Sequence, residues 1–141
     1  GIFTLWPAIQ SAAPVVFGSE TRDEYLTRTL DVYPAQMYMN DHLPLKARVL
    51  FCGDTRGFYL NRKYAWGDYG HNVEFSRKFS SVDDLIAYLK SRGVTHMMIN
   101  FHFYPPRGKG TELVYRAIDE GRFARIFPVD GSGAVGVYEV R

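Results

Sequence analysis

Between Arg48 and Gly57 the chain reads RVLFCGDTRG, and this run constrains the fold more than any other. Val49, Leu50, Phe51 and Cys52 are apolar in succession, Gly53 stops them, and Asp54 and Arg56 follow at once. Continuous rather than alternating hydrophobicity marks a strand covered on both faces, as in parallel sheets under crossover helices. A glycine and charged groups at its end stand at the carboxyl edge, where open α/β sheets bind ligands. A second unit of this kind begins at Ser81. Val82, Leu85, Ile86 and Leu89 repeat at i, i+3, i+4 and i+7, Ser81 caps the helix, Asp83 and Asp84 suit its positive end, and Gly93 stops it. The uncharged run VTHMMINF follows directly and predicts a central, doubly covered strand. Strand, helix, strand in this order implies a right-handed crossover and a parallel pair.

The remaining elements are shorter. Thr21 and Glu24 have capping-box spacing, and Tyr25, Leu26, Thr29 and Leu30 fall along one helical face. Pro34 starts a second helix with Met37, Tyr38 and Leu43 on its apolar side, and Pro44 ends it. The aromatics of FYLNRKYAW, Phe58 to Trp66, predict two short extended pieces around a turn. A third helix, from a Thr111 cap to Gly121, buries Leu113, Val114, Ala117 and Ile118. Phe123 to Val129 and Ala134 to Val140, joined by DGSG, form an antiparallel hairpin. The fold class expected is α/β: a layered, Rossmann-like open sheet, mostly parallel with an antiparallel C-terminal hairpin, and helices packed on it.

A chain of 141 residues is long enough for one domain with a real core and too short for two. The expected division is 1–18, an apolar leader or juxtamembrane segment, and 19–141, a single α/β domain. The first eighteen residues carry no charge, but Pro7 and Pro14 interrupt them, and a spanning helix needs about 20 apolar residues. The chain opens on Gly1 rather than Met, which reads as a piece of a longer protein. Ten Tyr and ten Phe make the chain rich in aromatics, for a well-filled core or for partner contact. With 17 Lys and Arg against 15 acidic residues the net charge is only +2, so nucleic acid has little electrostatic claim as a partner.

Several motifs dissolve in context. Gly131, Gly133 and Gly136 spell GxGxxG, but no helix can follow so near the end, so this is a hairpin turn and no dinucleotide cofactor is expected. Gly108, Lys109, Gly110 and Thr111 echo the end of a phosphate loop, yet Phe103 stands where its first glycine belongs. His96 and His102 lie roughly 20 Å apart along an extended strand at about 3.3 Å per residue and cannot share a metal. His42 and His71 are isolated, so no metal site is expected. Cys52 reads as a small core residue. No GxSxG elbow is present, and the adjacent Asp83 and Asp84 diverge around a helix.

The candidate site is therefore the carboxyl edge. If strands 49–52 and 95–101 are parallel neighbours, Asp54 and Arg56 from one and Asn100, His102, Tyr104 and Arg107 from the other converge on one crevice. Arg56 or Arg107 would hold a phosphate or carboxylate through bidentate bonds, or Asp54 pairs with an arginine and fixes the turn. Asp68, His71 and Asn72, in the following loop, are further contact candidates. A small hydrolase or transferase would need Asp54 and His102 within hydrogen-bond reach.

The order SETRDEYLTRTLDVYPAQMYMNDHLP, ARVLFCGDTRGFYLNRKYAWGD, SVDDLIAYLKSRGVTHMMIN and a closing GAVGVYEV resembles the soluble C-terminal domain of bacterial membrane glycosyltransferases of the dolichyl-phosphate-mannose protein mannosyltransferase type. The resemblance covers about residues 19–141. It implies a parent enzyme in the bacterial inner membrane that moves a sugar from a polyprenyl-phosphate carrier, with this domain on the periplasmic side. The family's catalytic acids lie in the N-terminal membrane half, so no catalytic residue transfers to this chain. The domain is then a non-catalytic accessory to the membrane-spanning part of the same polypeptide, contacting glycan, acceptor or polyprenyl-phosphate sugar, with Phe58, Tyr59, Tyr64 and Trp66 suited to sugar stacking. The alternative is a freestanding small-molecule-binding α/β domain that uses the same crevice.

Overall fold

The computed structural model describes residues 20–67, 79–104, 106 and 111–141. Two helices come first: α1 (Arg22–Thr29) and α2 (Tyr33–His42). Then follow β1 (Arg48–Cys52), β2 (Lys63–Trp66), α3 (Val82–Ser91), β3 (His96–Asn100), α4 (Glu112–Asp119), β4 (Phe123–Phe127) and β5 (Val135–Val140). The helix ends follow local chemistry. The Thr21 hydroxyl accepts from the Glu24 N–H at 3.1 Å while the Glu24 carboxylate accepts from the Thr21 N–H, and the Ser81 hydroxyl caps α3 in the same manner. Thr111 holds the N-cap position of α4 without a side-chain capping bond.

The described strands form one mixed sheet in the order β2-β1-β3-β5-β4. The expected parallel pairing of the two apolar strands is present, with Val49 opposite His96 and Cys52 opposite Ile99. A mostly parallel sheet is not: β1 pairs in parallel with β2 and β3, whereas β5 is antiparallel to both β3 and β4. The reason lies in how the C-terminal hairpin docks. Its second strand, β5, inserts beside β3, so half of the pairings are antiparallel.

Both faces of the sheet are covered, and alternation along the strands sorts the core into two. Leu50, Cys52, Met97, Ile99 and Tyr138 pack against Leu85, Ile86 and Leu89 of α3 and Val114 and Ala117 of α4. Val49, Phe51, Met98, Val135 and Val137 pack against Ala35 and Met39 of α2. Each fully buried large side chain contributes about 1.5–3 kcal/mol of transfer free energy. Cys52 is a buried core thiol.

The stretch 58–66 departs from expectation, since only Lys63–Trp66 is strand. The connection from β1 to β2 contains no helix, and its backbone finds partners on α2 instead. The fully buried Gln36 amide donates to the Arg56 carbonyl and accepts from the Tyr59 N–H at 3.1 Å. Asn40 donates to the Tyr59 carbonyl at 2.7 Å and accepts from the Asn61 N–H at 2.6 Å. Arg62 then satisfies the last carbonyls of α2, reaching those of Asn40 at 3.0 Å and Leu43 at 2.7 Å. Backbone groups tied to side chains in this way have no need of a sheet ladder.

Candidate functional site

β1 ends at Cys52 and turns at Gly53, which has φ +77°, and a Cβ there would lie 2.5 Å from the Asn100 carbonyl oxygen. Only glycine lets the carboxyl ends of β1 and β3 come so close. The approach brings together side chains from three segments. The Asp54 carboxylate, almost wholly buried, accepts from Arg56 Nε at 2.8 Å, Arg56 Nη2 at 2.6 Å and the Arg56 backbone N–H at 2.9 Å. Asn100, also buried, donates to Asp54 at 2.9 Å and to Asp31 at 3.2 Å, and accepts from the His102 backbone N–H at 3.1 Å. Arg56 Nη2 also reaches Asp31, in the α1–α2 connection, at 2.6 Å.

The electrostatics of this clamp are settled internally. Burial pushes the Asp54 carboxyl up, but hydrogen bonds from the Arg56 and Asn100 side chains and the Arg56 N–H outweigh it and hold the group below the ordinary carboxylate range. The hydrogen bond to Asp54 holds the Arg56 guanidinium above its ordinary value. Asp54 is thus an anion engaged by Arg56 and Asn100. The His102 ring packs edge-on against Phe103 and makes no hydrogen bond to Asp54, so the acid–base pair that a hydrolase needs is not assembled.

Above the clamp opens a cleft of about 840 Å³ lined by Arg28, Asp31, Asp54, Arg56, His102 and Phe103 among others. Arg28 is paired with Glu20 at 3.0 Å, and Phe103 is 60% exposed at the rim. Of the expected site residues, Asp54, Arg56, Asn100 and His102 do converge. Tyr104 does not line the cleft: it is buried in the α3–α4 core, its ring stacked on Tyr115. The chain turns after β3, with the Phe103 N–H bonded to the Asn100 carbonyl, and this carries Tyr104 away from the crevice. Arg107, Asp68, His71 and Asn72 lie outside the described residues, as do residues 1–18 and Lys109.

Asp31 completes the clamp with no signal in the sequence beyond a lone acid between two helices. The aromatics divide: Tyr59 meets Tyr33 edge-on at 5.2 Å, whereas Phe58, Tyr64 and Trp66 are exposed, Tyr64 with its ring stacked on Phe51 at 4.6 Å. Burial and a hydrogen bond to Asp23 push the Tyr33 hydroxyl up to about 12. Among the described residues no cluster of three metal-ligating side chains occurs, and no helix is long and apolar enough to cross a membrane.

This is an α/β domain with a mixed five-strand sheet and four helices among the described residues. No family model and no curated protein matches the chain. Its fold is similar to that of the C-terminal globular domain of an oligosaccharyltransferase, AglB-S2, from Archaeoglobus fulgidus, with a TM-score of 0.53 and 16% identity over 80% of this chain and 98% of that one. At this identity the likeness is one of fold.

Proposed function

We propose that this chain is a non-catalytic accessory domain of a membrane-bound glycosyltransferase that uses a polyprenyl-phosphate sugar. The observation that carries the reading is the fold likeness, which spans nearly all of a domain belonging to an oligosaccharyltransferase. The bacterial, mannosyltransferase-type parent, its inner-membrane location and the periplasmic side of this domain come from the sequence resemblance over residues 19–141. The site supports the accessory role, because the charged groups at the carboxyl edge are spent on one another. What the cleft offers a ligand is its rim, where Phe103 and His102 stand exposed over a polar floor, a surface suited to the apolar face and hydroxyls of a neutral sugar. Glycan or acceptor contact belongs there, and the sugar-transfer chemistry belongs to the membrane-spanning part of the parent.

Native protein in the source cells, detected with an antibody raised against this domain, provides the test. The expected result is a species much larger than the 16.2 kDa of this chain, retained in the membrane pellet. A freely soluble species of that small size would overturn the reading and favour a freestanding small-molecule-binding domain.

A further inference from the structure

The amino edge of the sheet, opposite the clamp, holds a second cleft of about 810 Å³. Four cations line it, Arg48, Lys63, Lys90 and Arg92, and no carboxylate does so among the described residues. Arg48 and Lys63 occupy paired positions in the parallel β1–β2 register. Their side chains leave the same face, since Leu50 and Ala65, two residues on, both join the α3 side of the core. Like charges placed side by side on a sheet are destabilising. Lys90 and Arg92 come from the C-terminal end of α3, where Arg48 Nη1 donates to the Arg92 carbonyl at 3.4 Å and its side chain packs beside Gly93. Arg48, Lys63 and Lys90 meet no carboxylate at salt-bridge distance among the described residues.

A helix C-terminus attracts cations, and this explains part of the cluster. The macrodipole supplies only about half a negative charge, however, and Arg48, Lys63 and Lys90, which meet no carboxylate among the described residues, exceed it several-fold. The excess positive charge sits in a concave site, with a guanidinium held in place by a main-chain carbonyl. We propose that this cleft binds a phosphate-type anion with at least two negative charges, a diphosphate or phosphomonoester group. Arginine forks and lysine ammoniums around a small cavity suit such a group. A nucleic-acid backbone would need a long basic track, which a net charge of +2 does not provide. The inference rests on this edge alone and stands independently of the membrane reading.

Equilibrium dialysis of the 141-residue chain against radiolabelled inorganic pyrophosphate at low ionic strength tests it. Saturable binding is expected, weakened at least about tenfold by Lys63→Glu and again by Lys90→Glu, the size a Coulomb interaction at about 6 Å in water gives for a divalent anion. Arg116→Glu, on α4 and outside the cleft, makes the same change in net charge and leaves binding intact. Sedimentation with phosphatidylcholine vesicles doped with phosphatidic acid separates the sources. Vesicle capture lost in Lys63→Glu identifies a lipid headgroup, and pyrophosphate binding without vesicle capture identifies a soluble phosphate. Absence of both, or equal loss in the Arg116→Glu control, overturns the proposal.

Discussion

Arg28 and Arg56 stand with Asp31 and Asp54 around a cleft of about 840 Å³ at the carboxyl edge of the sheet, whereas at the amino edge a cleft of about 810 Å³ holds four cations and no described carboxylate. The two clefts are nearly equal in size and opposite in electrostatic design. One is a closed circuit, in which Asp54, Arg56, Asn100 and Asp31 satisfy one another and fasten β1, β3 and the α1–α2 connection together. In the other, Arg48, Lys63 and Lys90 meet no carboxylate among the described residues. A charged cluster that is internally complete stabilises a fold, and one that is incomplete is a place for something else to bind. The two proposals accordingly differ in the ligand they name, a sugar at the exposed Phe103 and His102 rim and an anion at the amino-edge cations.

If the carboxyl edge is structural, disturbing it should be costly. Gly53→Ala would force a left-handed residue against the Asn100 carbonyl, and the expected loss is about 3–4 kcal/mol in urea unfolding. A variant of near-normal stability would break the contrast. Asp54→Ala leaves the Arg56 and Asn100 side chains with Asp31 as their remaining carboxylate acceptor. Loss of one partner of a buried pair costs about 3–5 kcal/mol, and because Arg56 retains access to water we expect about 2–3 kcal/mol here. The midpoint of thermal unfolding would then fall by roughly 10 °C.

Acid acts on the two edges at different pH. The folded carboxyl of Asp54 titrates below its ordinary 3.8, so its stabilisation is present above that pH and is lost as pH falls through the depressed folded value. His96, at the amino end of β3, titrates below its ordinary 6.5 because burial disfavours its charged form, against a smaller opposing pull from Glu139. Its contribution is complete above about pH 6.5 and declines as pH falls from there towards the folded value. Unfolding free energy should thus begin to drop just below pH 6.5, and His96→Gln should remove that first decline while leaving the deeper acid loss. The smallest effect has the opposite sign. Lys63→Glu places a carboxylate beside Arg48 and should stabilise the chain by about 0.2–1 kcal/mol, although it weakens anion binding. A cation whose removal improves the fold is not there for the fold.

How much of this was legible in the sequence depended on how local the signal was. The capping box at Thr21, the Ser81 cap, the heptad-like spacing of Val82, Leu85, Ile86 and Leu89, and the uncharged strands at 49–52 and 96–100 all act within a few residues, and each stands where the pattern put it. From those strands the convergence of Asp54, Arg56, Asn100 and His102 followed. The expected convergence failed at Tyr104, because the turn closed by the Asn100 carbonyl swings that ring into the core. The strand expected at Phe58 failed because buried Gln36 and half-buried Asn40, some twenty residues upstream, take its backbone hydrogen bonds. The amino-edge cations were invisible for the same reason. Positions 48, 63, 90 and 92 share nothing in sequence, and the parallel register and the end of α3 alone assemble them.

The contrast between the two edges can be read in one experiment, a titration of the isotopically labelled chain with inorganic pyrophosphate followed through its backbone amide resonances. Saturable shifts are expected at Arg48, Lys63 to Ala65 and Ser91 to Val94, with Asp31, Asp54, Arg56 and His102 unmoved. Shifts centred on the Asp54 clamp, with the amino edge silent, would contradict it.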